Sequence, residues 1–109
     1  MFGLFKKTKD YQDLKAPEFE RMATEKNTVI LDVRTPGEFS SGHLPGAVHM
    51  NLLSVDFSAR VSALNKEKVY LVYCRSGNRS AEACSFMAGN GFRVFNLEGG
   101  IARWKGKIV

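Results

Sequence analysis

The chain places one cysteine, Cys74, among residues that suit a reactive thiol. The six residues that follow it are Arg75, Ser76, Gly77, Asn78, Arg79 and Ser80. Sulfur attacks electrophiles as the thiolate, which a free cysteine with a pKa of about 8.5 forms only sparingly at neutral pH. Arginine charges, hydroxyl donors and the free backbone N–H groups of a tight turn all stabilise a thiolate. This stretch therefore predicts a nucleophilic cysteine, whereas a structural cysteine beside an ordinary turn explains it poorly.

The residues after Cys74 also predict how the loop is shaped. Gly77 can adopt a positive φ without penalty, and Asn78 tolerates such angles better than most residues. A helix that begins near Ser80 points its amide dipoles back toward the loop. We therefore expect the amide hydrogens of residues 75–80 to converge on the Cys74 sulfur, with Arg75 and Arg79 binding the oxyanion of a substrate.

The elements that must position this loop alternate between strands and helices. Apolar runs at 28–33, 47–52, 68–74 and 93–97 have the β-branched or continuously apolar character of buried strands. Helical patterns separate them, so the sequence predicts one α/β domain with parallel strands joined by helical crossovers. Ligands bind at the carboxyl ends of such strands. Cys74 ends the most apolar run, which is the position of an active-site residue.

Local signals predict where the helices begin. Ala16-Pro17-Glu18 opens the first, and Thr35-Pro36-Gly37-Glu38 is a capping box with proline at the first helical position. Residues 54–64 have helical spacing that places Val55, Ala59 and Leu64 on one apolar face. Residues 80–91 form a further helix that ends at glycine, and residues 99–106 form a short helical turn.

Composition and charge exclude several classes of protein. The chain of 109 residues carries 16 basic and 11 acidic residues, a net charge of +5 that favours an anionic partner. The basic residues are scattered along the sequence with no nucleic-acid motif, so we expect a small anion and no nucleic acid. No apolar stretch reaches the roughly 20 residues of a membrane-spanning helix, so no membrane partner is expected. The start lacks the features of a secretory signal, and a cytoplasmic location with two free thiols is the expectation.

Three ordered motifs resemble those of the rhodanese (thiosulfate sulfurtransferase) family. They are the loop CRSGNRS at residues 74–80, the segment LDVRTPGEFSSGHLPGAVHMN at residues 31–51 and the segment NLEGGIARW at residues 96–104. The resemblance implies a rhodanese-like domain over residues 13–109, preceded by an N-terminal extension of residues 1–12. It also implies a central parallel sheet of about five strands with helices on both faces.

The resemblance implies a sulfurtransferase in which Cys74 is the catalytic residue and residues 75–80 bind the substrate. Cys74 would take sulfur from thiosulfate or a similar donor as a persulfide and pass it to cyanide, a thiol or a protein. No metal or organic cofactor is implied. One alternative is a cysteine phosphatase or arsenate reductase of the same fold, whose loop has one more residue between the cysteine and the arginine. Another is a sulfur-carrying or binding module that serves a protein partner, since fold alone does not define function.

The remaining polar residues and the second thiol predict supporting roles. Asp32 and Arg34 alternate at a strand end and share a side. Together with Glu38, they are expected to form a scaffold for the loop, and the resemblance implies the same scaffolding role for Asp32 and Arg34. His43 and His49 are expected to be structural, because sulfur transfer needs no obligatory proton donor. Cys84 lies on the predicted helix among core residues and is expected to be a buried, inert thiol.

Overall fold

Five parallel strands form a single sheet. The computed structural model describes residues 10–109, and the strands are β1 (Gln12–Leu14), β2 (Thr28–Asp32), β3 (Val48–His49), β4 (Val69–Tyr73) and β5 (Arg93–Leu97). Their spatial order is β1-β5-β4-β2-β3, and every neighbouring pair is parallel. The predicted α/β architecture is confirmed, and β4, which precedes Cys74, lies at the centre of the sheet.

Helices cover both faces of the sheet. They are α1 (Ala16–Met22), α2 (Pro36–Ser40), α3 (Phe57–Ser62) and α4 (Asn78–Gly89), followed by a short 3-10 turn at Ile101–Arg103. Side chains along β4 alternate between the two layers: Val72 packs in the core under α3 and α4, and Leu71 packs in the core under α1. Both faces of β4 are therefore buried from solvent, which is why its sequence is continuously apolar.

Strand β1 is the one strand that the residue patterns did not predict. Its three residues, QDL, include only one apolar side chain, and the strand forms by pairing with β5 in the register Gln12 to Phe95. It begins one residue before the boundary predicted for the domain. Residues 1–9 of the predicted N-terminal extension lie outside the described residues.

The apolar face predicted for the third helix is wrong at Val55 and Ala59, whereas Leu64, just after the helix, packs against the core. Helix α3 begins at Phe57, so Val55 precedes it and is fully exposed, and Ala59 also faces solvent. Phe57 and Val61, one helical turn apart, are the buried pair. Val55 with Ala59 and Phe57 with Val61 have the same spacing of four residues, so only packing against the sheet determines which pair is buried. Among residues 10–109, no helix is long and apolar enough to cross a membrane.

Candidate active site

The loop that carries Cys74 joins the end of β4 to the start of α4. Gly77 is the N-cap of α4 and has φ of +108°, so the predicted glycine conformation is present. Asn78, which tolerates such angles, does not adopt one here, because it is the first residue of α4. Helix α4 therefore begins two residues before Ser80 and directs its first N–H groups toward the cysteine.

Three hydrogen bonds converge on the Cys74 sulfur. The N–H of Gly77 donates at 3.1 Å, and the N–H and the hydroxyl of Ser80 each donate at 3.3 Å. Cys74 is only 1% exposed, and Ser80 is fully buried. The sulfur thus lies in an enclosed nest of neutral donors at the carboxyl end of the sheet.

These donors lower the pKa of the thiol. Burial of Cys74 raises its pKa, and the hydrogen bonds from Ser80, Gly77 and the backbone of Ser76 lower it by more, so the pKa is below its ordinary value. Ser76 acts here through its backbone, and Ser80 through both its backbone and its hydroxyl. The arginine charges, which the sequence suggested as a further cause, are not among the main causes that lower this pKa, although Arg79 and the Cys74 thiolate attract each other.

The two arginines of the loop have different surroundings. Arg79 forms a bidentate ion pair with Glu38 of α2, with N–O distances of 2.8 and 3.0 Å. The hydrogen bond from Arg79 is the main cause that lowers the pKa of Glu38 to about 2, so the pair is charged at neutral pH. The Arg75 side chain is exposed. Arg79 is therefore a positioned charge, and Arg75 is a solvated one.

Glu38 also caps the helix on which it lies. Its carboxylate accepts from the backbone N–H of Thr35 at 3.0 Å, and the Thr35 hydroxyl accepts from the backbone N–H of Glu38 at 3.3 Å. The predicted capping box, with Pro36 at the start of α2, is present. One carboxylate thus fixes the start of α2 and holds the arginine of the cysteine loop.

A buried polar network joins the ends of β2 and β4 to the segment after β2. The Arg34 guanidinium donates to both carboxylate oxygens of Asp32, at 2.6 to 3.0 Å, and to the Gly42 carbonyl at 2.7 Å. The Tyr73 hydroxyl donates to Asp32 at 2.6 Å and accepts from the N–H of Leu44 at 3.0 Å. Burial first, and the hydrogen bond to Asp32 second, raise the pKa of Tyr73, so its hydroxyl keeps its proton.

Tyr73 was missed by the sequence reasoning, although it directly precedes Cys74. Its side chain points to the face opposite the cysteine, as strand alternation requires, and it anchors β4 to the segment after β2. The signal that could have identified it is a tyrosine in a strand buried on both faces, because a buried hydroxyl needs a partner.

The segment after β5 supports the loop from the other side. The N–H groups of Ile101 and Ala102 donate to the carbonyls of Cys74 and Arg75, at 2.9 and 3.0 Å. A Cβ at Gly100 would lie 2.3 Å from the Arg75 carbonyl oxygen, so no other residue fits there without a shift of the backbone. Gly100 was quoted only as part of a motif, and the structure gives the physical reason for it.

Asn96 is a second residue that the sequence reasoning missed. It lies on β5 and is 4% exposed. Its amide nitrogen donates to the Gly77 carbonyl at 3.3 Å and to Asp13 at 3.0 Å. A buried asparagine that follows an apolar run is the signal that could have identified it.

The histidines and the second cysteine lie in the positions of structural residues. His43 stacks on Phe39 and contacts its carbonyl through Nδ1 at 3.0 Å, while Nε2 of His49 lies 2.7 Å from the Arg34 carbonyl. Cys84 is fully buried, and burial raises the pKa of its thiol. Cys84 nevertheless lies one helical turn beyond Ser80 on α4, and both cysteines are free thiols.

This arrangement is that of an α/β domain with a candidate thiolate nucleophile at the carboxyl end of its central strand. The sequence matches the profile of the Rhodanese-like domain family over residues 15–107. The chain belongs to that family, as the motifs indicated.

Known proteins of the family resemble most of the chain. A sulfurtransferase of Allochromatium vinosum is 36% identical over 86 residues, which cover 78% of each chain. The thiosulfate sulfurtransferase GlpE of Pseudomonas syringae pv. syringae is 36% identical over 90 residues, covering 82% of this chain and 83% of the relative. A solved rhodanese-related protein of Thermoplasma volcanium superposes with a TM-score of 0.81 at 28% identity, covering 91% of this chain and 98% of that one.

Proposed function

We propose that this protein is a sulfurtransferase that moves sulfane sulfur from thiosulfate, or a similar anionic donor, to a thiophilic acceptor. The Cys74 thiolate attacks the outer sulfur of the donor, the S–S bond of thiosulfate breaks, and sulfite leaves with the bonding electron pair. The cysteine becomes a persulfide, from which the acceptor takes the outer sulfur and returns Cys74 to the thiolate. This is double displacement through a covalent intermediate.

The observation that carries this proposal is the set of hydrogen bonds on the Cys74 sulfur. Donors from Gly77 and Ser80 lower the pKa of the thiol although the side chain is buried. Donors arranged in advance stabilise an anion without reorganising, and they serve a thiolate and a persulfide anion alike. The relatives named as sulfurtransferases support the same reaction class.

The remaining residues of the loop take binding roles in this proposal. Arg75 is exposed and free to meet the oxyanion of an incoming donor, while Arg79 keeps a fixed charge beside the loop through Glu38. Asp32 and Arg34 belong to the scaffold, since they contact each other and Tyr73. Because both thiols are free, we place the reaction in a reducing compartment such as the cytoplasm.

Intact mass spectrometry tests the proposal directly. Thiosulfate should make the wild-type protein heavier by one sulfur atom, and cyanide should remove the gain. Cys74→Ser should abolish the gain, because a serine hydroxyl is neither as acidic nor as sulfur-seeking as a thiol. Cys84→Ser should keep the gain, since that thiol is buried with a raised pKa.

The mass measurement, together with an assay of phosphate-ester hydrolysis, separates the competing functions. A wild-type protein that gains no mass from thiosulfate yet hydrolyses a phosphate ester would be a phosphatase. A protein that does neither would be a binding module. Loss of the label in folded Cys84→Ser would make the second thiol part of the mechanism.

A further inference from the structure

Three basic side chains from two distant parts of the sequence line one cleft. The cleft has a volume of about 520 Å³ and is lined by Lys15, Ala16, Glu98, Ala102, Arg103 and Lys105. The three cations are exposed. Lys15 belongs to the start of the domain, whereas Arg103 and Lys105 lie near its end, so these charges are scattered along the sequence although they share one cleft.

The cleft lies at the same edge of the sheet as the candidate nucleophile. Lys15 follows β1, Glu98 follows β5 and Cys74 follows β4, and these strands are adjacent and parallel. The wall of the cleft at Ala102 is hydrogen-bonded to the cysteine loop, since the N–H of Ala102 donates to the Arg75 carbonyl. A molecule bound in the cleft is therefore next to the loop.

The charge of the cleft is positive. Three cations oppose one carboxylate, Glu98, which Lys15 approaches at 3.5 Å in an exposed ion pair. The Arg103 side chain lies over Gly99, where a Cβ would be 2.6 Å from its Cδ. The exposed Arg75 adds a further positive charge at this edge of the sheet.

We propose that this cleft docks a sulfur acceptor whose thiol lies on an acidic peptide segment of a partner protein. The cleft is far larger than cyanide or thiosulfate requires, and its cations come from two separate parts of the chain, which suits several carboxylates along a segment. Such complementarity steers encounter and selects the partner. The inference rests on the proposed sulfurtransferase function.

The transfer is a thiolate exchange. The acceptor thiol loses its proton to solvent, and its thiolate attacks the outer sulfur of the Cys74 persulfide. The new S–S bond forms on the acceptor, the bond to the Cys74 sulfur breaks, and the electron pair returns to Cys74 as thiolate. No oxidant or reductant is consumed.

The test uses two synthetic peptides, one with a cysteine flanked by two acidic residues on each side and one with the matching amides. The persulfide form of the protein is mixed with each, and the rate of sulfur transfer to the peptide is measured by mass. We expect the wild type to prefer the acidic peptide by roughly tenfold at low ionic strength. The preference should shrink in 1 M salt, where the Debye length falls to about 3 Å.

The variant Lys15→Gln, Arg103→Gln, Lys105→Gln should lose that preference. The control variant Lys26→Gln, Lys68→Gln, Arg93→Gln removes the same charge at the amino-terminal ends of the strands and should keep it. If the triple variant of the cleft fails to fold, Lys15→Gln with Lys105→Gln leaves Arg103 over Gly99 and should lower the preference in part. Equal preferences in the cleft and control variants, or none in the wild type, would overturn the proposal.

A binding measurement keeps this proposal separate from the proposed function. Fluorescent versions of both peptides, with serine in place of cysteine, report docking by anisotropy with no sulfur chemistry. The acidic one should bind the wild type more tightly, and the cleft variant should not distinguish the two. Failure to load sulfur from thiosulfate would contradict the proposed sulfurtransferase function. Equal binding of both peptides would contradict the proposed docking site.

Discussion

Ser80 holds the Cys74 sulfur through two atoms, its backbone N–H and its hydroxyl, both at 3.3 Å. The hydroxyl is foremost among the contacts that lower the pKa of the thiol against the opposing effect of burial. Because the folded thiol has a lower pKa than the unfolded one, its thiolate adds stability above the pKa of the unfolded thiol. That contribution is lost as the pH falls through the pKa of the folded thiol.

Ser80→Ala should move the titration of Cys74 to higher pH. A hydrogen bond to a charged group contributes about 1.5–3 kcal/mol, so its loss favours the protonated thiol. The titration is measured by the ultraviolet absorbance of the thiolate, as the difference between each protein and its Cys74→Ser counterpart. This measurement needs no reagent to reach the buried sulfur.

Ser85→Ala is the matched control, because Ser85 lies on the same helix and is exposed. Its titration should coincide with that of the wild type. A Ser80→Ala titration that also coincides with the wild type would show that the hydroxyl does not lower the pKa of Cys74.

Helix α2 and the cysteine loop are joined by the pair of Glu38 and Arg79. Glu38→Gln preserves a capping box, which accepts glutamine as well as glutamate, and removes the charge that Arg79 meets. The free energy of unfolding at pH 7 should fall by about 1 kcal/mol, measured by urea denaturation. Glu25→Gln, which alters an exposed pair with Arg21, should have a smaller effect.

The effect of Glu38→Gln should depend on pH with a definite sign. The pKa of Glu38 is lowered from 4.5 to about 2, so the wild-type pair contributes its full stability above about pH 4.5. The difference between wild type and variant should shrink as the pH falls from there toward 2. A difference that grows in acid would show that the carboxylate is not stabilised by the pair.

Strand β4 is tied to its surroundings by the Tyr73 hydroxyl. Tyr73→Phe removes a donor to Asp32 and leaves the buried N–H of Leu44 without its acceptor. The free energy of unfolding should fall by about 1–3 kcal/mol, the usual effect of an unsatisfied buried group. Tyr70→Phe on the same strand should lower the free energy of unfolding less. The Tyr70 hydroxyl donates to the carbonyl of the exposed Asn65, and water can donate to that carbonyl in its place. Equal losses would show that the link to Asp32 adds nothing beyond an ordinary hydrogen bond.

At the scale of the whole molecule, the net charge of +5 and the fixed charge of Arg79 both favour an anionic donor. Arg79→Ala should lower kcat/KM for thiosulfate by about tenfold, since a charge beside the loop acts at short range. Lys26→Ala, which lies before β2 at the far edge of the sheet, should change it less than about twofold at physiological salt. Steady-state rates with cyanide as the acceptor give both values, and equal losses would assign the effect to the field of the whole protein.

Arg79→Ala also leaves the carboxylate of Glu38 unpaired near the loop. The double variant Glu38→Gln, Arg79→Ala separates the two effects. Partial recovery of kcat/KM would show that repulsion by the bare carboxylate contributes, and no recovery would assign the whole loss to the missing guanidinium.

The sequence by itself determined the order of strands and helices, the position of Cys74 after the central strand, the glycine conformation at Gly77 and the capping box at Thr35. These features depend on short-range physics. Apolar periodicity, caps and turn residues act within a few positions of one another, so a linear pattern contains them.

Only the tertiary structure decided the features that depend on distant residues. Strand β1 forms because it pairs with β5 at the edge of the sheet. Helix α3 buries Phe57 because packing against the sheet selects one of the two residue pairs that the four-residue spacing allows. Arg79 lies 41 positions from its partner Glu38, and Lys15 meets the cations near the end of the domain only because β1 and β5 are parallel neighbours. The same separation explains why the sequence counted the neighbouring arginines, beside the amide nest and the helix start, among the main causes of a low thiol pKa. Arg79 is paired with Glu38 across the fold and Arg75 is exposed, so hydrogen-bond donors from Ser80 and Gly77 are the main groups that stabilise the thiolate.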